Sequence, residues 1–512
     1  MTILDSALSA HRRERELAEA TDGRVCDVLI IGLGVTGAGA ALDAAARGLN
    51  VVAVDAFDFA WGTSRWSSKL IHGGLRYLAK GQVGVAYESA LERGILMTRT
   101  APHLVRPLPM LLPLLPTVAR SQGTLAGTGF MAGDVLRRAA RTPSAVLPPP
   151  RRLSPAQTAA FAPGIERTGL RGGLLSWDGQ LEDDARLVVG LARTAAALGA
   201  RILTRTRVLN ASGDGAEVRD ELTGTRHSIK ARTVINATGV WASTIDPDVS
   251  LRPSRGTHIV LRGETLGYPT AAITMPVPGE TNRFVFALPQ PDGLVYVGLT
   301  DEPADGAVPD VPEAPAADID FLLDVIGPAF AARPDRADVV GAFAGLRPLL
   351  ASGGRTADLS RRHAILVSRA GIITVVGGKL TTYRQMAEDA VDAAAAHGSL
   401  SAGPCETHHL PIVGAATRHA LAQSTAPRRL VRRYGREAPL LARNPELLQP
   451  ISTSVPVTMA ELVFGVTHEG ALDVSDLLDR RTRIGLVAQD RSEAESAAAR
   501  AFELAEDSAA QV

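Results

Sequence analysis

Apolar positions gather first in a short unbroken run, Val28 to Ile31, bounded by Asp27 and Gly32. Four residues are too few for a helix, and a run without alternation predicts a strand buried on both faces of a parallel sheet. Ala38 to Arg47 then supply good helix formers, Gly48 stops them, and Val51 to Val54 predict a second strand. The same grammar returns further along. Leu181 to Val208 predicts an amphipathic helix entered through Glu182, Asp183 and Asp184, ended by Gly199 and followed by the strand sequence ILTRTRV. Thr233 to Ser243 predicts a short strand that turns at Ala237, Thr238 and Gly239. From Ile372 an apolar strand meets Gly377 and Gly378 and passes into a helix closed around His397 and Gly398. Four dispersed pieces therefore predict one α/β domain.

The intervening text has another period. Between Arg252 and Thr300 the short β-prone runs THIVLR, RFVFALP and LVYVGLT, separated by Gly and Pro turns, predict an antiparallel sheet covering the open end of the first domain. Pro148 to Pro150 and the Pro, Ala and Asp-rich stretch Asp305 to Asp318 read as linkers or extended turns. Beyond Pro411 the spacing is helical, with Arg, Ala and Leu abundant. The resulting division has residues 1–24 as a partly helical leader and 25–105, 182–245 and 340–400 as the discontinuous α/β domain. Residues 106–181 and 246–339 form the second, capping domain, and 405–512 a helical C-terminal domain.

Composition narrows the partners. Lys plus Arg and Asp plus Glu both number 54, so no global field recruits nucleic acid, and any anion recognition is local. Cys26 and Cys405 are the only cysteines, which excludes a disulfide framework and suits a reducing, cytoplasmic compartment. The histidines have no carboxylate or cysteine partners at ligand spacing, so no metal site is expected. Leu104 to Val118 is the most lipid-like stretch, but Pro107, Pro109, Pro113 and Pro116 keep it far short of a membrane-spanning helix. It reads either as an apolar strand packed inside or, with Arg120, Arg137, Arg138 and Arg141 after it, as an interfacial contact.

Chemistry is concentrated at the glycines. Gly32 permits a tight turn, Gly34 lets backbone approach a pyrophosphate, Gly37 lets the helix pack on the strand, and Asp55 at the end of the second strand is placed for a ribose. This dinucleotide fingerprint becomes specific through Ser67 to Leu78, reading SSKLIHGGLRYL. Together with GTHIV, GLRPLL, GGKLTTYR, DDARLV and DLLDRRTRIGL, it makes the chain after Arg24 resemble the FAD-dependent glycerol-3-phosphate dehydrogenases.

The resemblance implies a glutathione-reductase-like FAD-binding domain interrupted by an antiparallel substrate domain, an α-helical cap, and non-covalent FAD. It implies oxidation of sn-glycerol 3-phosphate to dihydroxyacetone phosphate, with electrons passed to a quinone or, in a related branch, to oxygen. A peripheral contact with the cytoplasmic face of the inner membrane and a homodimer are both compatible with it. Cofactor contacts are expected from Gly32, Gly34, Gly37, Asp55, Ser67, Ser68, Lys69, Leu70, His72, Val208, Ala237, Thr238, Gly239, Gly378, Leu380 and Thr381.

For substrate, Arg76 and Tyr77 extend from the flavin motif, Arg347 lies near the reacting carbon, and Lys379 adds charge. A guanidinium fork suits a phosphate. One arginine among Arg355, Arg361 and Arg362 completes the phosphate site, with register favouring Arg361. His258 is the expected base, since imidazole titrates nearest neutrality, and a structural histidine in a strand is its other reading. The catalytic set is thus His258, Arg347 and Lys379. The rival classes are an amine or hydroxy-acid flavin oxidoreductase, which needs less positive charge, and a flavoprotein without turnover.

Overall fold

The computed structural model describes residues 5–78, 81–280, 283–351 and 363–510, with backbone alone for Arg76 and 508–510. The run Val28 to Ile31 lies in the strand Val25–Ile31, paired in parallel with Val51–Val54 on one side and Arg226–Asn236 on the other. Arg201–Leu203 and Ile372–Val376 extend this sheet in parallel, and Ala364–Val367 closes one edge antiparallel. Alternate side chains go to different cores. Val28 and Ile30 meet helices Val35–Ala46, Asp184–Ala197 and Tyr383–His397, whereas Leu29 and Ile31 meet Val218 and Ile229 of a β-hairpin and Leu17 of helix Ala10–Ala20. Burial on both faces explains the missing alternation.

The second sheet has ten strands among the described residues and is antiparallel except where Ala272–Pro276 meets Val105–Pro113. Its centre is the Arg252 to Thr300 region, as Ser254–Arg262, Phe284–Pro289 and Leu294–Gly298. Three boundaries move relative to the sequence reading. Leu70–Ile71 pairs with Gly173–Leu181, so the motif that begins beside the first sheet ends in the second. Val339–Arg347 pairs along Ser254–Arg262, so the start of the 340–400 segment belongs to the antiparallel sheet. Helix Ala10–Ala20 is more than a leader, because Arg13 is buried and bonded to Thr204 O and Asp220.

The segment Leu104 to Val118 is a core strand and its continuation; Leu104, Val105, Leu108, Leu111, Leu112, Leu115 and Val118 are all buried. Its prolines Pro107 and Pro109 precede the two positions, Met110 and Leu111, at which the strand Ala272–Pro276 joins. At the prolines themselves the strand pairs only with Gly173–Leu181, which lessens the cost of a missing N–H. Helix Arg120–Ala139 follows, unanticipated in the sequence because its Gly and Thr content disguises it.

Residues beyond 405 form short helices and the long helix Ala488–Ala510. They are joined to the first domain by buried ion pairs. Arg480 and Arg481 both reach Asp58, at 2.6 and 2.8 Å; Arg193 takes Glu437 at 2.8 Å; Arg433 and Arg483 each reach Asp183 at 3.2 Å. Burial would raise the Asp58 carboxyl, but Arg481 and Arg480 hold it well below the usual carboxylate range. A buried pair of this kind adds little net stability when intact, yet breaking one leaves an uncompensated charge. Asp58→Ala, which strands two buried guanidinium groups, is expected to lower the unfolding free energy by about 3–5 kcal/mol, read as a reduced denaturant midpoint.

Candidate active site

A cavity of about 2120 Å³ runs from the carboxyl ends of the parallel strands to the antiparallel sheet. Ligands of open α/β sheets bind at this end, and the chain places its glycines there. Gly32 has φ +101°, and a Cβ on it would lie 2.8 Å from Ala237 O; a Cβ on Gly37 would come within 1.8 Å of Gly32 O. The two loops and the helix thus touch through backbone, which only glycine permits. The N–H groups of the first turn of helix Val35–Ala46 border the cavity, with Ser64 Oγ accepting from Val35 N at 2.9 Å. A helix start of this kind is a pyrophosphate seat.

Asp55 accepts from Leu33 N at 2.7 Å and from Phe57 N at 2.9 Å. Its burial pushes the carboxyl up to about 6 in spite of these two bonds. Each oxygen keeps a lone pair for a ribose hydroxyl. Gly32, Gly34, Asp55, Ser67, Ser68, Leu70, His72, Val208, Ala237, Thr238, Gly239, Gly378, Leu380 and Thr381 all line the cavity. Gly37 acts from behind, through helix packing.

Lys69 departs from expectation. It has φ +56°, which turns its side chain away from the cavity into a fully buried pair with Asp184 at 2.9 Å. Asp184 also accepts from Ser67 N and Oγ, so the lysine holds the wall without lining it.

In the second half of the cavity, His258 is 1% exposed. Its Nε2 is 2.8 Å from Ser68 Oγ, its ring stacks on Phe343 at 4.7 Å, and its buried Nδ1 has no hydrogen-bond partner among the described residues. Burial first, then the charges of Lys69 and Arg347, hold its pKa well below the usual imidazole value. Arg347 reaches the cavity from the end of Val339–Arg347, donating to Ser254 Oγ and Asp301 at 3.1 Å. Lys379 lies over the Tyr77 ring at 4.4 Å and bonds Ser89. Tyr77 and Lys379 also line the cavity. The Arg76 side chain, and Arg355, Arg361 and Arg362, lie outside the described residues. His363 bonds Asp389 at 2.6 Å and does not border the cavity.

One functional group was invisible in the sequence. Asp178, in the strand Gly173–Leu181, accepts from Arg93 at 2.6 Å and Gly73 N at 3.1 Å and stands 3.3 Å from His72 Nδ1. Burial would raise its carboxyl; Arg93 and His72 bring it down to about 2. Its only local cue is an acid in a strand pattern, which reads as a solvent-facing position. Among the described residues there is no cluster of His, Cys, Asp or Glu able to hold a metal ion.

A dinucleotide cradle opens onto a cationic pocket, and the family model described as FAD dependent oxidoreductase, which matches residues 27–384, makes the class that of the flavin oxidoreductases. A second model, the C-terminal domain of alpha-glycerophosphate oxidase, matches 405–509. The chain is 52% identical over 497 residues to glycerol-3-phosphate dehydrogenase 1 of Mycobacterium tuberculosis, covering 95% of this chain and 96% of that one. It is 37% identical over 489 residues to the glycerol-3-phosphate dehydrogenase of Mycobacterium leprae, covering 90% and 81%. The solved glycerol-3-phosphate dehydrogenase of Bacillus halodurans complexed with FAD superposes with a TM-score of 0.74 at 28% identity, over 97% of this chain and 94% of that one. The chain belongs to the glycerol-3-phosphate dehydrogenase family of FAD-dependent oxidoreductases, and FAD is its cofactor.

The glycine contacts and Asp55 fit that cofactor, and they generate a pH dependence. Ribose hydroxyls donate to an ionised carboxylate, so FAD binding favours loss of the Asp55 proton. Affinity of the apoprotein for FAD is expected to rise by up to about tenfold per pH unit approaching pH 6 from below and to level off above it. Titration by flavin fluorescence checks this, and Asp55→Asn should abolish the slope.

Proposed function

We propose that this protein oxidises sn-glycerol 3-phosphate at carbon 2 to dihydroxyacetone phosphate and passes the electrons to a quinone. The observation that carries the first part is the convergence of His258, Arg347 and Lys379 on one cavity beside the flavin cradle. Bound FAD supplies the acceptor for the hydride leaving carbon 2. The protein binds the dianion, orients the carbinol and takes its proton. Arg347 faces the reacting end, and Lys379 with Arg76 and Arg361 supplies the charge that two phosphate negatives require. His258, kept neutral by burial, receives the carbinol proton. His72, steadied by Asp178, positions the cofactor. A carboxylate substrate would not require so many cations.

The quinone and a membrane contact are supported by the far arm of the cavity. It passes Val118, Ala126, Gly129 and Phe130 to Leu125 of helix Arg120–Ala139. Leu125, Met131 and Val135 on that helix are 57%, 58% and 63% exposed, and Val83, Tyr87 and Leu91 are exposed on the neighbouring helix Val83–Ile95. Arg120, Arg138 and Arg141 are exposed at its ends, while Arg137 is buried against Asp134 and belongs to the fold. An apolar face rimmed with cations suits an anionic lipid surface at the cytoplasmic side of a membrane. No described helix is long and apolar enough to cross one.

In anaerobic solution glycerol 3-phosphate, and not glycerol, is expected to bleach the flavin; an unbleached spectrum refutes the reading. Arg347→Ala is expected to lower kcat by about 10²-fold or more, and Arg361→Ala chiefly to raise KM, measured with a dye acceptor. A quinone is expected to reoxidise the bleached enzyme faster than oxygen does, and Met131→Glu with Val135→Glu to reduce sedimentation with anionic vesicles.

A further inference from the structure

Lys69 combines features that a structural ion pair alone leaves unexplained. A non-glycine residue at φ +56° holds a backbone conformation that L side chains disfavour. Its ammonium is entirely buried, and replacing such pairs with apolar groups is often neutral or stabilising. The strained turn has a directional result. Ser68 points to His258 and bonds its Nε2 at 2.8 Å, while the next residue points inward. Lys69 Nζ donates to Arg65 O at 2.7 Å and Asp184 at 2.9 Å and lies 5.0 Å from the centre of the Phe343 ring. That same ring stacks on His258 at an interplanar angle of 11°.

We infer that Lys69 is a positioning residue for proton transfer: through the Phe343 ring and the Ser68 turn it holds His258 uncharged and turned to the cavity until the substrate dianion arrives. The inference rests on His258 as the base. The groups around the imidazole are Ser68, Phe343, Gly298, Arg347 and Lys69, and the last two are cations. Around the lysine stand Asp184 and Asp183, which oppose it, and Arg483, which adds to it, with Tyr296 at 5.9 Å. Burial and Arg483 pull the ammonium below its ordinary value, and two acceptors at hydrogen-bond distance keep the proton on it. A dianion arriving at Arg347 offsets the cationic field, so the imidazole becomes a better base only with substrate present.

The test is the acid limb of kcat/KM for the FAD-loaded full chain with glycerol 3-phosphate and a dye acceptor. Lys69→Met removes the cation, and Lys69→Met with Asp184→Asn also removes the carboxylate it would strand. Both variants are expected to move the limb to higher pH, Lys69→Met by about one unit, on the order of tenfold in rate at a fixed pH on the limb, and the double variant by less because the opposing carboxylate goes with the cation, with parental flavin content in the double variant. The substrate's own phosphate titration is common to all three proteins and cancels in the comparison. A flavin-loaded double variant with the parental limb overturns the role of Lys69. His258→Gln separates the two claims. If that variant keeps the parental limb, the base assignment fails and the inference with it. If it loses the limb while the double variant keeps it, the role of Lys69 alone is wrong.

Discussion

The acidic turn from Glu182 to Asp184 is the joint on which the other parts meet. Asp183 caps the helix Asp184–Ala197, accepts from Arg433 and forms an ion pair with Arg483, both of the C-terminal region. Asp184 faces the other way, to Ser67 and Lys69. Two adjacent carboxylates thus bind the flavin-side motif and the helical cap to one helix start. Coulomb attraction in a dry interior is strong, but it offsets a desolvation cost of similar size. The gain is geometric: few arrangements satisfy every charge, so the wall of the cavity has one position.

That wall divides the work between two sheets. The parallel sheet contributes backbone, through Gly32, Ala237 and the helix start at Val35. The antiparallel sheet contributes side chains, His258 and Arg347 from adjacent strands, in which Ser254 faces Arg347 and His258 faces Phe343. A chain of zero formal net charge thereby concentrates positive charge at one cavity.

What the sequence reveals follows from how local the cause is. The strand, turn and helix around Gly32 are written in adjacent residues, and Gly37 and Asp55 stand at spacings that backbone geometry imposes. The residues of SSKLIHGGLRYL are legible as a motif, but the inward turn of Lys69 depends on Asp184, more than a hundred positions away. Asp178 carries no local mark because its partners Arg93 and His72 are supplied by topology. The helix Arg120–Ala139 is hard to read in the sequence because small residues blur its period. The sheet that Val339–Arg347 joins is not legible either, because a β run does not name its partner strand.

The contact between Leu8 and the residues around Glu469 has a bearing on how the protein is made. Leu8 N donates to His468 O, Gly470 N donates to Leu8 O, and Arg193 reaches Ser6 O nearby. A ribosome adds about 5–20 residues per second, so the segment at Leu8 waits tens of seconds for partners encoded several hundred residues later. Until then Arg186 and Arg193 also lack Glu469 and Glu437. Arg186 and Arg193 consequently gain these carboxylate partners only after the helical region has been made, whereas helix Ala10–Ala20 meets Thr204 and Asp220 much sooner.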